Sequence, residues 1–287
     1  MVTGKGGVGK TSLAAALGML LARSDRAVAV IETDPRESLH QMMGTDPSAG
    51  ELRRVGGGLW FQNLDARAAV DRVVERQLRI GWLARRVEAS PVYDQFASGA
   101  PGVKELSLLG QVVEMLAGGT RGGPDLDLIV LDAPATGHGR SLLSAPALVA
   151  EVISEGPFGR LTKRVADFVG DAESTSEVVV TLAEEMAINE TLELIDGLEG
   201  EMGREVGLTV VNAIYPRRPR RAKERDALDR LWTARRAVNE RQMKRLDEAG
   251  LEPLIHLPLL PIDRGLELTE SLAEAIQAAA EAGEARP

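Results

Sequence analysis

The 287-residue chain has no cysteine and only three histidines. Without cysteine there is no disulfide, no thiolate zinc site, no iron–sulfur cluster and no cysteine nucleophile. That usage fits the cytoplasm. Basic residues are the minority, 34 Lys and Arg against 43 Asp and Glu, for a net charge of −9. Such a balance argues against non-specific nucleic-acid binding. No apolar run approaches the ~18 residues that a membrane-spanning helix needs. Internal repeats and low-complexity linkers are also missing. What is present is 44% hydrophobic residues, ample for a packed core. The length suits one large domain, or a domain with a subdomain.

One stretch organises the rest. Gly4-Lys5-Gly6-Gly7-Val8-Gly9-Lys10-Thr11 fits G-x-x-x-x-G-K-[ST], the phosphate-cradling loop of P-loop nucleotidases. Glycines let the backbone curl so that successive N–H groups point at phosphate oxygens. Lys10 is placed to put its ammonium between β- and γ-phosphates, and Thr11 to offer its hydroxyl to Mg²⁺. The following helix aims its positive end at the same anion. Gly4, Gly6, Gly7, Val8, Gly9, Lys10, Thr11 and Ser12 are therefore the expected phosphate-binding set. Lys10 followed by the run from Thr11 to Leu21 superficially resembles a secretory signal, but as the buried helix beneath the phosphates it needs no such explanation. Only Met1, Val2 and Thr3 precede Gly4. Either the first strand is shortened to about three residues, against the usual ~5, or the functional start lies upstream.

Further along, Ala27 to Thr33 reads as a buried parallel strand ending in Asp34-Pro35. An aspartate at the carboxyl end of such a strand sits in the crevice where ligands bind in open α/β sheets. Asp34 is a candidate for holding the water that attacks the γ-phosphate, and also for capping a helix after Pro35. Leu59 to Leu64 reads as another strand. Val70, Val73, Val74, Leu78, Ile80, Leu83 and Val87 recur at helical spacing; Pro91 is expected to close that region and Ala100-Pro101-Gly102 to mark a turn. Val103 to Leu116 is a further amphipathic helix. This block, at about 65–120, is too long for a minimal crossover and is expected to be a helical insertion. It is either a cap burying its own apolar faces or a client surface, and the cap is the default.

Leu126 to Asp132 is an apolar strand ending in aspartate, the Walker B pattern, so Asp132 joins Thr11 and Asp34 as a metal-site candidate. Ala133, Pro134, Thr136, Gly137 and His138 then fall in a flexible loop beside the γ-phosphate, of the kind that responds to nucleotide state. A lone loop histidine such as His138 is more often structural than catalytic. A second, shorter insertion is expected at about 147–176, after Pro146. Val178 to Thr181 and Gly207 to Asn212 are strands with a helix, Glu184 to Leu198, between them. Asn212 ends its strand at the same rim as Asp34 and Asp132, and its amide can read the edge of adenine. Arg217 to Arg245 interleaves acids with its arginines and reads as a solvated helix face. Pro253 to Leu257 is a last strand. Pro258, Leu259, Leu260 and Pro261 make a rigid loop able to cover a base, and Gly265 opens the closing helix.

In this order, these pieces resemble the family of arsenite-pump ATPases and tail-anchored-protein targeting ATPases, a branch of the deviant-Walker-A dimeric nucleotidases. The resemblance covers nearly the whole chain. It is strongest at Gly4–Thr11, at Thr33-Asp34-Pro35 and from Asp132 to His138; Pro101-Gly102 with Glu105, Val211-Asn212, and Leu257 to Pro261 with Gly265 add to it. It implies an α/β, doubly wound, mainly parallel sheet of about seven strands, residues 1–287 forming one P-loop domain. It also implies ATP and Mg²⁺ as ligands, Lys5 as a lysine acting in the partner's site beside catalytic Lys10 and Asp34, and Asn212 as the adenine contact. The implied protein is a homodimer, or a heterodimer with a related ATPase chain. It hydrolyses ATP and couples its nucleotide state to a partner or a hydrophobic, membrane-protein client, in the cytoplasm or peripheral to a membrane. Two competing readings are a positioning ATPase of the partitioning or division-site type and a weakly hydrolysing interaction subunit. The chain departs from the family where the first switch reads Asp34-Pro35-Arg36-Glu37-Ser38-Leu39-His40-Gln41, lacking the usual histidine and second aspartate. The Cys-x-x-Cys pair that bridges targeting-ATPase dimers through zinc is missing, so no zinc is expected. Met115 is the insertion's one methionine, so a Met-rich groove is not evident.

Overall fold

The computed structural model describes residues 1–78, 90–118, 123–134, 138–152, 155–217 and 227–284. Its centre is an eight-stranded sheet. In chain order the strands are β1 (Val2–Gly4), β2 (Val28–Glu32), β3 (Arg53–Gly56), β4 (Leu59–Asn63), β5 (Leu128–Asp132), β6 (Glu177–Leu182), β7 (Val206–Ile214) and β8 (Leu254–Pro258). They lie in the order β3-β4-β2-β5-β1-β6-β7-β8. Every pairing is parallel except β3 with β4. The chain leaves β1 toward β2 on one side, and β6 to β8 extend the sheet on the other. The strand order thus reverses at β1, where an open α/β sheet leaves its ligand crevice.

The interior strands are apolar because both faces are covered. In β2, Val28 and Val30 enter one core while Ala29 and Ile31 enter the other, the period-two split of a strand. The first core packs α1 (Lys10–Ala22), α2 (Leu39–Met43) and the closing helix over the sheet. There Gly18 lets α1 lie directly on β2, since a Cβ would run into the Val30 side chain. The second core holds α3 (Ala66–Leu78), α4 (Pro91–Gly99), α5 (Val103–Leu116), α6 (His138–Val152) and α7 (Gly156–Gly170), joined by Ile195 and Leu198 of the β6–β7 connection. That connection is α8 (Glu185–Asp196) running into a π-helical turn, Gly197–Glu201. Then come α9 (Ala227–Glu248) and α10 (Leu266–Glu284). No described helix is long and apolar enough to cross a membrane.

Three features depart from the sequence expectations. The eighth strand, β3, forms a hairpin with β4 across Gly57-Gly58, both at positive φ as a primed turn needs. Arg53 and Arg54 put charge on that sheet edge, which discourages pairing with other chains. Pro91 opens a helix instead of closing one: Ser90 Oγ accepts the Tyr93 N–H at 3.1 Å, and proline suits the first helical position. Pro146 lies inside α6. It forfeits one backbone bond, yet Leu142, Leu143, Ala145 and Val149 bury a continuous apolar face, and the helix persists from His138. Leu228 and Leu231 of α9 are 70% and 55% exposed, in keeping with the solvated helix face expected there. Ile80, Leu83, Val87 and residues 119–122 lie outside the described residues.

Candidate functional site

The phosphate loop is built as its glycines require. β1 is three residues long and delivers the chain to Gly4, after which Gly7 and Gly9 take positive φ of 82° and 94°. Gly9 caps α1 without a side chain, so nothing from the cap competes for the first-turn N–H groups, which are free to meet an anion. A Cβ on Gly9 would stand 2.5 Å from Asn212 Nδ2. That closeness has a purpose: Asn212 Nδ2 donates to the Val8 carbonyl at 2.9 Å, so the end of β7 tethers the loop. The same amide accepts the Ala213 N–H at 2.8 Å, with Ala213 at φ 52°. Val8 is buried, Gly6 and Gly7 are exposed, and Ser12 Oγ donates to Met42 Sδ at 3.5 Å.

Lys10 turns back into the loop and donates to the Lys5 carbonyl at 3.0 Å. Burial lowers its ammonium's pKa, opposed by the charges of Asp132 and Asp34. Lys5 points elsewhere: its Nζ pairs with Glu190 Oε1 of α8 at 2.8 Å. Thr11 Oγ1 donates to Asp132 Oδ2 at 2.6 Å, a contact 121 residues apart in sequence. The parallel register sets it up, with Val2 opposite Asp132 and Glu32 opposite Asp132 on the other side of β5. Asp34 lies exposed just beyond β2, its Oδ1 accepting the Arg36 N–H at 2.8 Å. Thr33 Oγ1 donates to the Asp132 carbonyl at 3.1 Å, lacing the ends of β2 and β5 together. Lys10, Thr11, Asp34, Asp132 and Asn212 therefore converge on one rim. Past β8, Leu259 N–H donates to the Ile214 carbonyl at 2.8 Å, which sets the loop from Pro258 to Pro261 beside the end of β7. Pro258 and Pro261 are exposed there.

With this geometry in place, the comparison with known families is decisive. The anion-transporting ATPase family matches residues 1–166, more than half of the chain. The chain belongs to that family. Its relatives include ATPase BagA of Mycobacterium tuberculosis, 28% identical over 222 residues, covering 75% of this chain and 65% of that protein. ATPase GET3C of Arabidopsis thaliana is 25% identical over 266 residues, 75% of this chain and 66% of the relative. ATPase ARSA1 of Chlamydomonas reinhardtii is 27% identical over 213 residues, 63% of this chain and 27% of the relative. The chain thus spans about two-thirds of the length of the first two relatives and less of the third.

In this anion-transporting ATPase family member the loop after Asp132 is only partly described. Ala133 is buried, its N–H bonded to the Val2 carbonyl at 3.0 Å, and Pro134 follows at the rim. Thr136 and Gly137 lie outside the described residues, and α6 begins at His138. Sequence reasoning missed Glu32, Asn63 and Glu190. The first had a signal: a charged residue closing the buried run Val28–Glu32, two places before Asp34.

The donor set fits a divalent cation. Asp132 is 4% exposed, and its Oδ1 is buried with no hydrogen-bond partner among the described residues. Burial pushes its carboxyl up to about 7; the Thr11 hydrogen bond and Lys10 pull it down, while Glu32 and Asp34 push it up. A buried carboxylate with one bare oxygen, facing a threonine hydroxyl, is what a cation would relieve. The sign of the pH dependence is set by that shift. A carboxyl whose folded pKa lies above its unfolded value of 3.8 keeps the metal-free protein most stable below that value and withdraws that stability as pH rises to about 7. Asp132→Asn is therefore expected to raise the metal-free unfolding temperature at pH 8, measured by calorimetry, and to remove the extra stability that Mg²⁺ gives. In the unaltered protein, the Mg²⁺-dependent rise in unfolding temperature should grow between pH 6 and pH 8. A rise of equal size at both pH values would contradict the assignment.

Proposed function

We propose that this chain is a Mg²⁺-dependent ATPase that works as a dimer, with itself or with a related chain, and couples its nucleotide state to a partner protein or hydrophobic client. The observation that carries the reading is the Thr11–Asp132 contact with its bare buried oxygen, set at the lip of the phosphate loop. Gly4, Gly6, Gly7, Val8 and Gly9 bind phosphate oxygens through the backbone, and Lys10 exchanges its contact with the Lys5 carbonyl for the β- and γ-phosphates. Thr11 and Asp132 hold the cation, with Asp34 nearby. When bound, Mg²⁺ supplies positive charge against the β- and γ-oxygens. Asp34 orients the attacking water and accepts its proton.

Asn212 and the Pro258, Leu259 and Pro261 loop form the base site. The asparagine spends one N–H on Val8 and one lone pair on Ala213. One donor and one acceptor are left, which is what the adenine edge needs. Guanine readers of this broad class place an aspartate after the asparagine, where this chain has Ala213. Titration with fluorescent ATP and GTP, alongside phosphate-release assays with and without Mg²⁺, tests both parts. ATP should bind at least ~10-fold tighter than GTP, about 1.4 kcal/mol. Equal affinities would overturn the base assignment, and no Mg²⁺-dependent phosphate release would overturn the hydrolase.

A further inference from the structure

Two residues before Asp34, β2 ends in a buried carboxylate that the catalytic reading leaves unused. Glu32 is 0% exposed. A charged group there is tolerable only when hydrogen bonds replace its water. They do. The Ser38 N–H donates to both carboxylate oxygens at 3.0 Å, Ser38 Oγ donates to Oε1 at 2.6 Å, and the Leu39 N–H donates to Oε2 at 3.2 Å. Asn63 Nδ2, at the end of β4, donates to Oε2 at 3.2 Å. The same Asn63 amide donates to the Asp34 carbonyl at 2.8 Å.

The exposed turn from Asp34 to Arg36 is therefore gripped at both ends. Asn63 holds it at Asp34, Glu32 holds it at Ser38 and Leu39, and the two clamps are bonded to each other. A carboxylate serving only as an anion at the start of α2 would explain the Ser38 and Leu39 contacts. It leaves unexplained why the clamp continues through Asn63 to the backbone of Asp34 itself. We propose that Glu32, acting with Asn63, is a positioning residue: it fixes the 34–38 turn so that the Asp34 carboxylate is aimed at the attacking water. This rests on the ATPase reading of the site. Glu32 is buried beneath the turn and the bonds of the clamp go to Ser38, Leu39 and the Asp34 backbone, not to the phosphate loop, so it acts on turnover and not on binding. Misplacing a reacting group by ~1 Å can cost ~10²-fold in rate.

Glu32→Gln keeps the size of the side chain but replaces one acceptor oxygen with a donor facing the Ser38 and Leu39 N–H groups. Asn63→Ala frees the Asp34 carbonyl. Steady-state ATP hydrolysis is measured for the full chain, both variants and the double variant, at a temperature where circular dichroism finds all four folded. Affinity for a non-hydrolysable ATP analogue is measured beside it. In each variant kcat should fall ~10–100-fold, while KM and analogue affinity stay within about threefold. The double variant should fall no further than the worse single one, since the two residues form one unit. Hydrogen exchange at the Ser38 and Leu39 amides should speed up in Glu32→Gln. Variants that turn over within twofold of a hydrolysing wild type overturn the proposal alone. So does a loss of kcat matched by an equal loss of analogue affinity, since that marks general damage to the site. A wild type that releases no phosphate overturns the hydrolase reading, and the proposal with it.

Discussion

Asp34→Asn is expected to leave ATP bound and unhydrolysed. The carboxylate stands at the carboxyl end of β2, next to the strand that brings Asp132 to Thr11, and its carbonyl is held by Asn63. Nothing in the phosphate loop bonds to the Asp34 side chain, whose Oδ1 accepts only the Arg36 N–H among the described contacts. The amide of an asparagine can keep that turn bond but cannot take a proton from water. Loss of a general base costs about 10²–10⁴-fold in rate, so phosphate release should fall by that factor with ATP affinity nearly unchanged. Filter binding and single-turnover assays on the same preparation measure both. Hydrolysis within tenfold of the unaltered chain would remove Asp34 from the chemistry. A proportional loss of ATP binding would make it a structural residue of the turn.

How far the sequence reaches depends on what fixes each feature. The phosphate loop was legible because its chemistry demands glycines, a lysine and a hydroxyl at set intervals. Asp132 was legible for a related reason: an apolar strand ending in aspartate downstream of such a loop has one common use. The contact between Thr11 and Asp132 is then a consequence of the parallel pairing of β1 with β5, which brings the two short motifs together at the candidate site. Apart from β3, the strands from β2 to β8 were found to within a few residues at each end, since buried apolar runs bounded by turn residues leave little choice.

Other features escaped because one residue type serves opposite roles. Proline ends helices and also begins them; at Pro91 the preceding Ser90 decides, and at Pro146 the buried face of α6 overrides the lost bond. The Gly57-Gly58 pair signals a hairpin, but Gly56 beside it blurs the register and β3 is only four residues long. Glu32 looked like the polar end of an apolar strand, and nothing local reveals that Ser38, Leu39 and Asn63 all turn toward it. Asn212 was expected to face a base. Its bond to the Val8 carbonyl spans 204 residues and depends on β7 lying two strands from β1, which no local pattern encodes.

Lys5→Ala is expected to abolish hydrolysis in a homodimer, and mixing should restore part of it. In the single chain the Lys5 side chain neither turns into its own cradle nor hangs free; its ammonium leaves the loop for Glu190 on α8. The pair is partly exposed, with side chains 24% and 36% accessible. Exposed pairs of this kind contribute about 0–1 kcal/mol, so giving up Glu190 for a partner's γ-phosphate costs little. In the proposed mechanism Lys10 serves the phosphates within the subunit. A second cation delivered in trans, in the manner of an arginine finger, is worth ~10³–10⁵ in rate. Combining Lys5→Ala subunits with Asp34→Asn subunits tests this directly. Each is inactive alone, but in a mixed dimer the Lys5→Ala subunit keeps Asp34 and receives Lys5 from its partner. With random pairing half the dimers are mixed and each has one competent site, so about a quarter of the wild-type rate should return. Glu190→Gln should leave the maximal rate intact and lower the protein concentration for half-maximal activity by up to ~30-fold, since two such pairs, each up to ~1 kcal/mol, break per dimer. If mixed dimers form and no hydrolysis returns, Lys5 does not act in the partner's site. If Glu190→Gln lowers the maximal rate instead, Glu190 belongs to the active assembly and is not the resting partner of Lys5.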